Sequence, residues 1–533
     1  MPTKPMIDKP EGDPRHGRWQ PAREFAPSVV REEEPLWARR AGLGGLMLVV
    51  LGGVALLVSA AGRTSGLIGP NLGSLCLVVG LAALLFHASA DRELQIRRSY
   101  EVFGLLWLAA AAGLFILMAA RPANAGGLFG SGFLCLLGAL LFLLASVRHE
   151  TDATWRQAIV LGIGVLGALL ALVGFIGGNV RTGDFLLPYG LLLSLAGLAY
   201  LWAFVGLVGT SDPRGYKAGL GIGLLGLVFF VLALARSFLP QLFFTWGWRA
   251  RPDPYLVPTG LLLMGLGFLY VVISAALCSD NTLVVMTRRE LAAYFYSPIA
   301  YIVLFAVTVI GWVMFLFFLD LVAGEGKTPL PEPIVQYYII SWWPIISVII
   351  IVPVVTMRLL SEEKRTGTLE VLLTAPLGET TVVLSKFLAA LIFFMLLWVP
   401  WGLFLVALRV WGGEPFDYLP LLSFFLGLAC SGAGFLGLGL FFSSLTRNQI
   451  ASAILTFVGM LTLTIVYFAK NMMRGQASGG GPWTTILRHI SYVDLWMDNL
   501  TGLVSPKFLV FWASLAILSL FLTVKVLESR RWS

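Results

Sequence analysis

Charge is what this chain has least of. Only 12% of its 533 residues are Asp, Glu, Lys or Arg, against 58% hydrophobic. Soluble domains carry about twice that charged fraction, so a fold bathed in water on all sides is excluded. Cysteine and histidine are equally sparse, at 4 each. Cys76, Cys135, Cys278 and Cys430 lie in or at the ends of apolar runs, with no CxxC and no neighbouring histidine, which argues against a zinc site or a disulfide framework. His16, His87, His149 and His489 are scattered, and no HExxH or Ser/His/Asp arrangement places a nucleophile or a catalytic metal. No ionisable residue stands near the centre of an apolar run. A proton- or sodium-coupled carrier keeps such groups there despite a cost of roughly 2.5–3.5 kcal/mol each, so that class is disfavoured. Asp320, Lys386 and Arg409 fall at run ends, where snorkelling to the interface accounts for them.

Nucleotide-binding motifs are missing too, although several strings imitate them. Gly162-Ile-Gly164-Val-Leu-Gly167 and Gly221-Ile-Gly223-Leu-Leu-Gly226 read GxGxxG, but both sit inside apolar runs with no βαβ context and are read as helix-packing glycines. Gly326-Lys327-Thr328 lacks the glycine a phosphate loop needs five residues earlier, where Leu321 stands. No ATPase signature follows, so ATP is not expected to bind this chain, and no cofactor or metal is expected on it.

What the chain does have is apolar runs long enough to cross a bilayer, each needing about 20 residues. They are continuous rather than alternating, which selects helices over a barrel. The expected fold is all-α and polytopic, with about fourteen spans: about eight before residue 279 and about six after it. The net charge of +8 resides mainly in short breaks such as DRELQIRR and SDPRGYK. That is the positive-inside pattern rather than a nucleic-acid surface, and it puts both termini in the cytoplasm. Residues 1–38 read as a disordered cytoplasmic tail, too long and too polar for a cleavable signal. Residues 39–278 read as an N-terminal membrane module.

Two polar segments interrupt the second half. MTRRELAAYFYSPIAYIV, starting at Met286, clusters Arg288, Arg289 and Glu290 ahead of Leu291, Tyr294 and Phe295, which share a helical face. Such a segment lies along the inner membrane surface until Pro298 turns the chain upward. MRLLSEEKRTGTLEVLLTAP, from Met357, sets charges ahead of Leu369, Leu372 and Leu373. Ser361 is placed to cap a short helix and Pro376 to end it. Charge followed by a leucine stripe suits a surface that docks on a protein, with a helix lying on lipid headgroups as the plain alternative.

At these residues the chain resembles the ABC-2 type permeases, and among them the gliding-motility and nitrous-oxide-accessory type, over about 279–533. The resemblance implies a permease core with a connecting helix at 284–297 and a coupling loop at 357–380. The loop would insert into a separate ABC ATPase subunit that hydrolyses the ATP. It also implies a second permease copy or related permease, and placement in the bacterial inner membrane as an exporter. An accessory protein on the outer face would suit such a transporter. Carried over by position, the ATPase-contacting residues are Glu362, Glu363, Arg365, Thr368, Leu369 and Glu370, with Arg288, Arg289 and Glu290 of the connecting helix as a second contact. The eight additional N-terminal spans depart from the family layout. The competing expectation is a membrane scaffold that organises partners and moves no solute.

Overall fold

A computed structural model describes residues 36–60, 70–90, 94–121, 125–148, 150, 152–180, 185–248, 260–323, 335–339, 342–369, 378–412, 419–476 and 482–531. The fold is all-α, with no strand among the described residues. The tail at 1–35 and most of the leucine stripe after Leu369 lie outside them.

The chain divides into two compact units, residues 1–98 and 99–533. In the first, α1 (Leu36–Ala60) and α2 (Pro70–Ala90) form an antiparallel pair. They meet at Gly45 and Gly80: a Cβ on Gly80 would stand 2.8 Å from the Gly45 carbonyl, so only glycine permits the approach.

In the second unit, helices α3 (Leu94–Ala120), α4 (Ala125–Val147), α5 (Ala153–Val180), α6 (Leu191–Val208), α7 (Pro213–Thr245) and α8 (Gly260–Cys278) precede the two polar segments. Neighbours in sequence pair: α5 with α6 and α7 with α8. Gly164, Gly167, Gly223 and Gly226 of the two GxGxxG strings sit at these crossings, whereas Gly162 and Gly221 face open space. A Cβ on Gly167 would stand 3.0 Å from the Gly197 carbonyl, and one on Gly226 would stand 2.7 Å from that of Gly267. Their role is close helix packing. Tyr200 donates to the Leu136 carbonyl at 2.7 Å and Tyr270 to that of Ser194 at 2.6 Å, tying the pairs together. Asp212 caps α7 by accepting from the Arg214 amide, and Pro213 opens the helix. The helix then continues through Pro240 to Thr245, about ten residues past the end of the apolar run. Arg236 therefore lies within a helix rather than in a loop beyond it.

The remaining helices are α9 (Thr282–Tyr296), α10 (Pro298–Ala323), α11 (Val335–Ile339), α12 (Trp342–Thr356), α13 (Ser361–Thr366), α14 (Glu379–Gly412), α15 (Leu419–Leu445), α16 (Gln449–Gln476), α17 (Pro482–Ile490), α18 (Tyr492–Leu500) and α19 (Pro506–Arg531). Their pairing is mostly non-sequential: α9 with α14, α12 with α16, α15 with α19. One core unites them. It is floored by the fully buried Trp398, Trp512, Tyr338, Tyr492, Phe424 and Phe435, whose rings meet edge-on or tilted. Toward the far end of α14, Val406 joins the core of the earlier helices beside Phe129, Leu136 and Tyr200.

Among the described residues twelve helices are long and apolar enough to cross a membrane, and shorter apolar stretches, Arg40–Ala55 and Cys76–Ser89, lie in α1 and α2. The protein is a multi-pass membrane protein.

Candidate functional site

The site is assembled where α9, the turn after α12 and the start of α14 converge. α9 begins at Asn281, whose side chain accepts from the Leu283 amide, and stops at Ser297, after which Pro298 opens α10. Its apolar face does not rest on lipid alone. Tyr294 stacks on Phe393 of α14 with ring centroids 4.7 Å apart, and its hydroxyl donates to the Val355 carbonyl of α12 at 3.1 Å. Burial, reinforced by the nearby Glu290 carboxylate, pushes the Tyr294 phenol far above its usual pKa, so it stays a donor.

The turn that follows α12 is bolted down from below. Ser361 is not its cap: its hydroxyl donates back to the Met357 carbonyl, and Leu360 occupies the cap position without a capping side chain. The capping oxygen comes from Ser443 of α15, which accepts the Leu360 and Ser361 amides, each at 3.1 Å. Ser361 is fully buried with its hydroxyl committed to the Met357 carbonyl, and the capping acceptor comes from a distant part of the same chain. Lys364, also buried, donates to the Ser444 carbonyl. Pro376 lies outside the described residues, and this helix ends at Gly367. There φ is +76°, a left-handed conformation that suits glycine. Leu369 returns to the core at 5% exposure.

Between these fixed points Arg365, Thr366, Gly367 and Thr368 are exposed. Thr366 and Thr368 share a hydroxyl hydrogen bond of 2.9 Å, and the Thr366 hydroxyl donates to the Glu362 carbonyl at 2.9 Å. The result is a small, internally braced tip on a buried base.

Lys386 connects this base to α9. Its side chain is 3% exposed, and its ammonium donates to Glu290 Oε2 at 3.0 Å and to Glu363 Oε1 at 2.6 Å. Snorkelling does not describe it: the side chain is enclosed, and its charge is neutralised by carboxylates from two other elements. An isolated buried ammonium would be very unfavourable, so the three groups hold one another in place.

The structure therefore sorts the predicted residues. Glu290 and Glu363 are brought together as partners of Lys386. Glu362 is half-buried, its Oε2 3.9 Å from Arg358 Nε. Arg365 and Thr368 form the exposed tip. Leu369 is enclosed by this chain's own core rather than offered to a partner, and Glu370 lies outside the described residues. On α9, Arg288 and Arg289 are exposed, and Arg288 Nη1 donates to the Leu277 carbonyl at the end of α8 at 3.1 Å. Sequence reasoning missed Lys386 and Ser443. Ser443 lies 82 residues from Ser361, and Lys386 lies 96 from Glu290, so no local pattern links them. Gly367 was readable, as a glycine just after a turn of Lys and Arg.

Among the described residues no group of three or more His, Cys, Asp or Glu is placed to hold a metal ion. No curated protein and no solved structure matches the chain. Residues 326–524 match the family model described as ABC-2 family transporter protein. That segment contains the tip, Lys386 and Ser443, and its similarity to the ABC-2 family supports a permease subunit of an ABC transporter.

Proposed function

We propose that the tip at Arg365–Thr368 is the coupling contact for a separate ABC ATPase, and that Lys386 carries the resulting displacement into the membrane. The single observation behind this reading is the contrast between an exposed, braced tip and a base fixed by Ser443, Lys364 and Leu369. Load applied to the tip cannot dissipate in a loose loop. It passes through Glu363 to Lys386 on α14, and through Glu290 to α9. Arg288 and Arg289 supply exposed positive charge beside it as a second contact. ATP binds and is hydrolysed on the partner. For coupling, the tip must bind the partner's two arrangements with different free energy, or no work is transmitted.

In this reading the chain works as an exporter in the bacterial inner membrane, with both termini cytoplasmic. It is paired with a second permease copy or related permease and served on its outer face by an accessory protein. The N-terminal helices at 39–278 form an added module that precedes the permease core in the chain.

The test is co-purification with the ATPase and assay of ATP hydrolysis. Wild type should recover the ATPase in stoichiometric amount and stimulate it. Arg365→Glu with Thr368→Trp should lose both while unfolding at an unchanged temperature. Undiminished stimulation by that variant, or no ATPase recovered with wild type, overturns the reading, the latter in favour of a scaffold.

A further inference from the structure

A cleft of about 240 Å³ opens beside the Lys386 cluster, between α9, the beginning of α10 and the end of α12. Its wall is hydrocarbon: Ala300, Val303, Val354, Val355 and Phe393. The rest of its lining is charged or polar, with Glu290, Glu362 and Glu363 against Arg358 and Lys386, and Tyr294 and Ser297 beside them. Two of these groups have an atom shielded from water and without a hydrogen-bond partner. One is a donor, Arg358 Nε; the other is an acceptor, Glu363 Oε2. Arg358 otherwise reaches Ser297 through Nη1 at 3.3 Å, and Glu362 Oε2, 3.9 Å from Nε, is too far to satisfy it. Glu363 spends only Oε1 on Lys386.

An orphaned donor and an orphaned acceptor of opposite charge, at the lip of an apolar slot, are complementary to an amphiphile bearing both signs. The location is right for a lipid. Two membrane-crossing segments begin and end here, and Tyr296 and Tyr301, 88% and 55% exposed, stand on α9 and α10 like residues of an interfacial aromatic belt.

We propose that this cleft binds a phospholipid with a primary-ammonium headgroup. The phosphodiester accepts from Arg358 Nε, the ammonium donates to Glu363 Oε2, and an acyl chain lies along Val303 and Val355. A trimethylammonium headgroup has no N–H to offer Glu363. A purely anionic headgroup would face three carboxylates against two cations. The occupant touches both Glu363 and the α9 side of the Lys386 cluster, so inner-leaflet composition bears on the stiffness of the link.

Binding is read on the permease alone, and the proposal stands or falls separately from the ATPase contact. The full chain in mild detergent is equilibrated with equal amounts of phosphatidylethanolamine, phosphatidylcholine and phosphatidylglycerol of matched acyl chains. Retained lipid is then measured by native mass spectrometry. Phosphatidylethanolamine should be retained about tenfold over either competitor, equivalent to about 1.4 kcal/mol. Arg358→Gln, Glu363→Gln and the slot-filling Val303→Trp should each abolish that preference. Arg358 is part-exposed, so its variant reports even if Val303→Trp does not fold. Equal retention of the three lipids, a preference for phosphatidylglycerol, or a preference that survives Arg358→Gln overturns the assignment.

Discussion

The helices from residue 125 to 278 and those from 282 to 531 are held together by different means. In the first set, sequence neighbours form hairpins whose crossings bring glycine onto backbone: Gly167 with Gly197, Gly226 with Gly267. In the second, partners lie far apart in the chain, the core is aromatic, and two ionic clusters are enclosed. One is Lys386 with Glu290 and Glu363. The other is Lys470 with Asp494, where Lys470 also lies 5.0 Å from the centre of the Tyr467 ring. Glycine hairpins give close packing with one way to fit. Ionic links between non-adjacent helices can be strained, broken and re-formed by an outside load. Under the proposed coupling, the second set holds the moving parts and the first is a passive frame.

That contrast can be broken deliberately. The largest effect is expected from Lys386→Met, which leaves two carboxylates facing each other without their cation. A loss of about 3–5 kcal/mol is expected, read as a lowered unfolding temperature. Glu290→Gln and Glu363→Gln added to it should restore much of that loss, because the charge imbalance is gone. Gly226→Val sharpens the other side. Its added Cβ would meet the Tyr270 Cβ at 2.5 Å and the Gly267 carbonyl at 2.7 Å. It should cost ~1–3 kcal/mol while ATPase stimulation per folded molecule stays at the wild-type value. A fall in stimulation would mean that the frame takes part in coupling.

Ser443→Ala should cost less, ~0.5–2 kcal/mol, since it removes the acceptor for the Leu360 and Ser361 amides. Its effect on coupling should exceed its effect on stability, because the base of the tip loosens. Arg365→Glu stands at the bottom of the stability scale. On an exposed position it should change unfolding by no more than ~0.5 kcal/mol, yet reduce ATPase binding.

The sequence was informative wherever one segment decided the outcome. The connecting helix, expected at 284–297, spans Thr282–Tyr296, because Pro298 and the apolar face of Leu291 and Tyr294 are local signals. All-α architecture followed from continuous apolar runs. What escaped was non-local. The turn is capped by Ser443 rather than Ser361. Lys386 looked like an ordinary span-end lysine because both carboxylates that enclose it come from other elements. The extension of α7 to Thr245 was hidden by Arg236 and Pro240, which interrupt the apolar run without ending the helix.

The central claim is that the tip faces the cytoplasm and is covered by an ATPase. It is tested most directly by Thr368→Cys in a chain whose Cys76, Cys135, Cys278 and Cys430 are replaced by alanine, using a membrane-impermeant maleimide on sealed vesicles of each orientation. The account predicts labelling in inverted vesicles alone, suppressed when the ATPase is bound. Labelling in right-side-out vesicles would contradict it, since no cytoplasmic ATPase could then reach the tip.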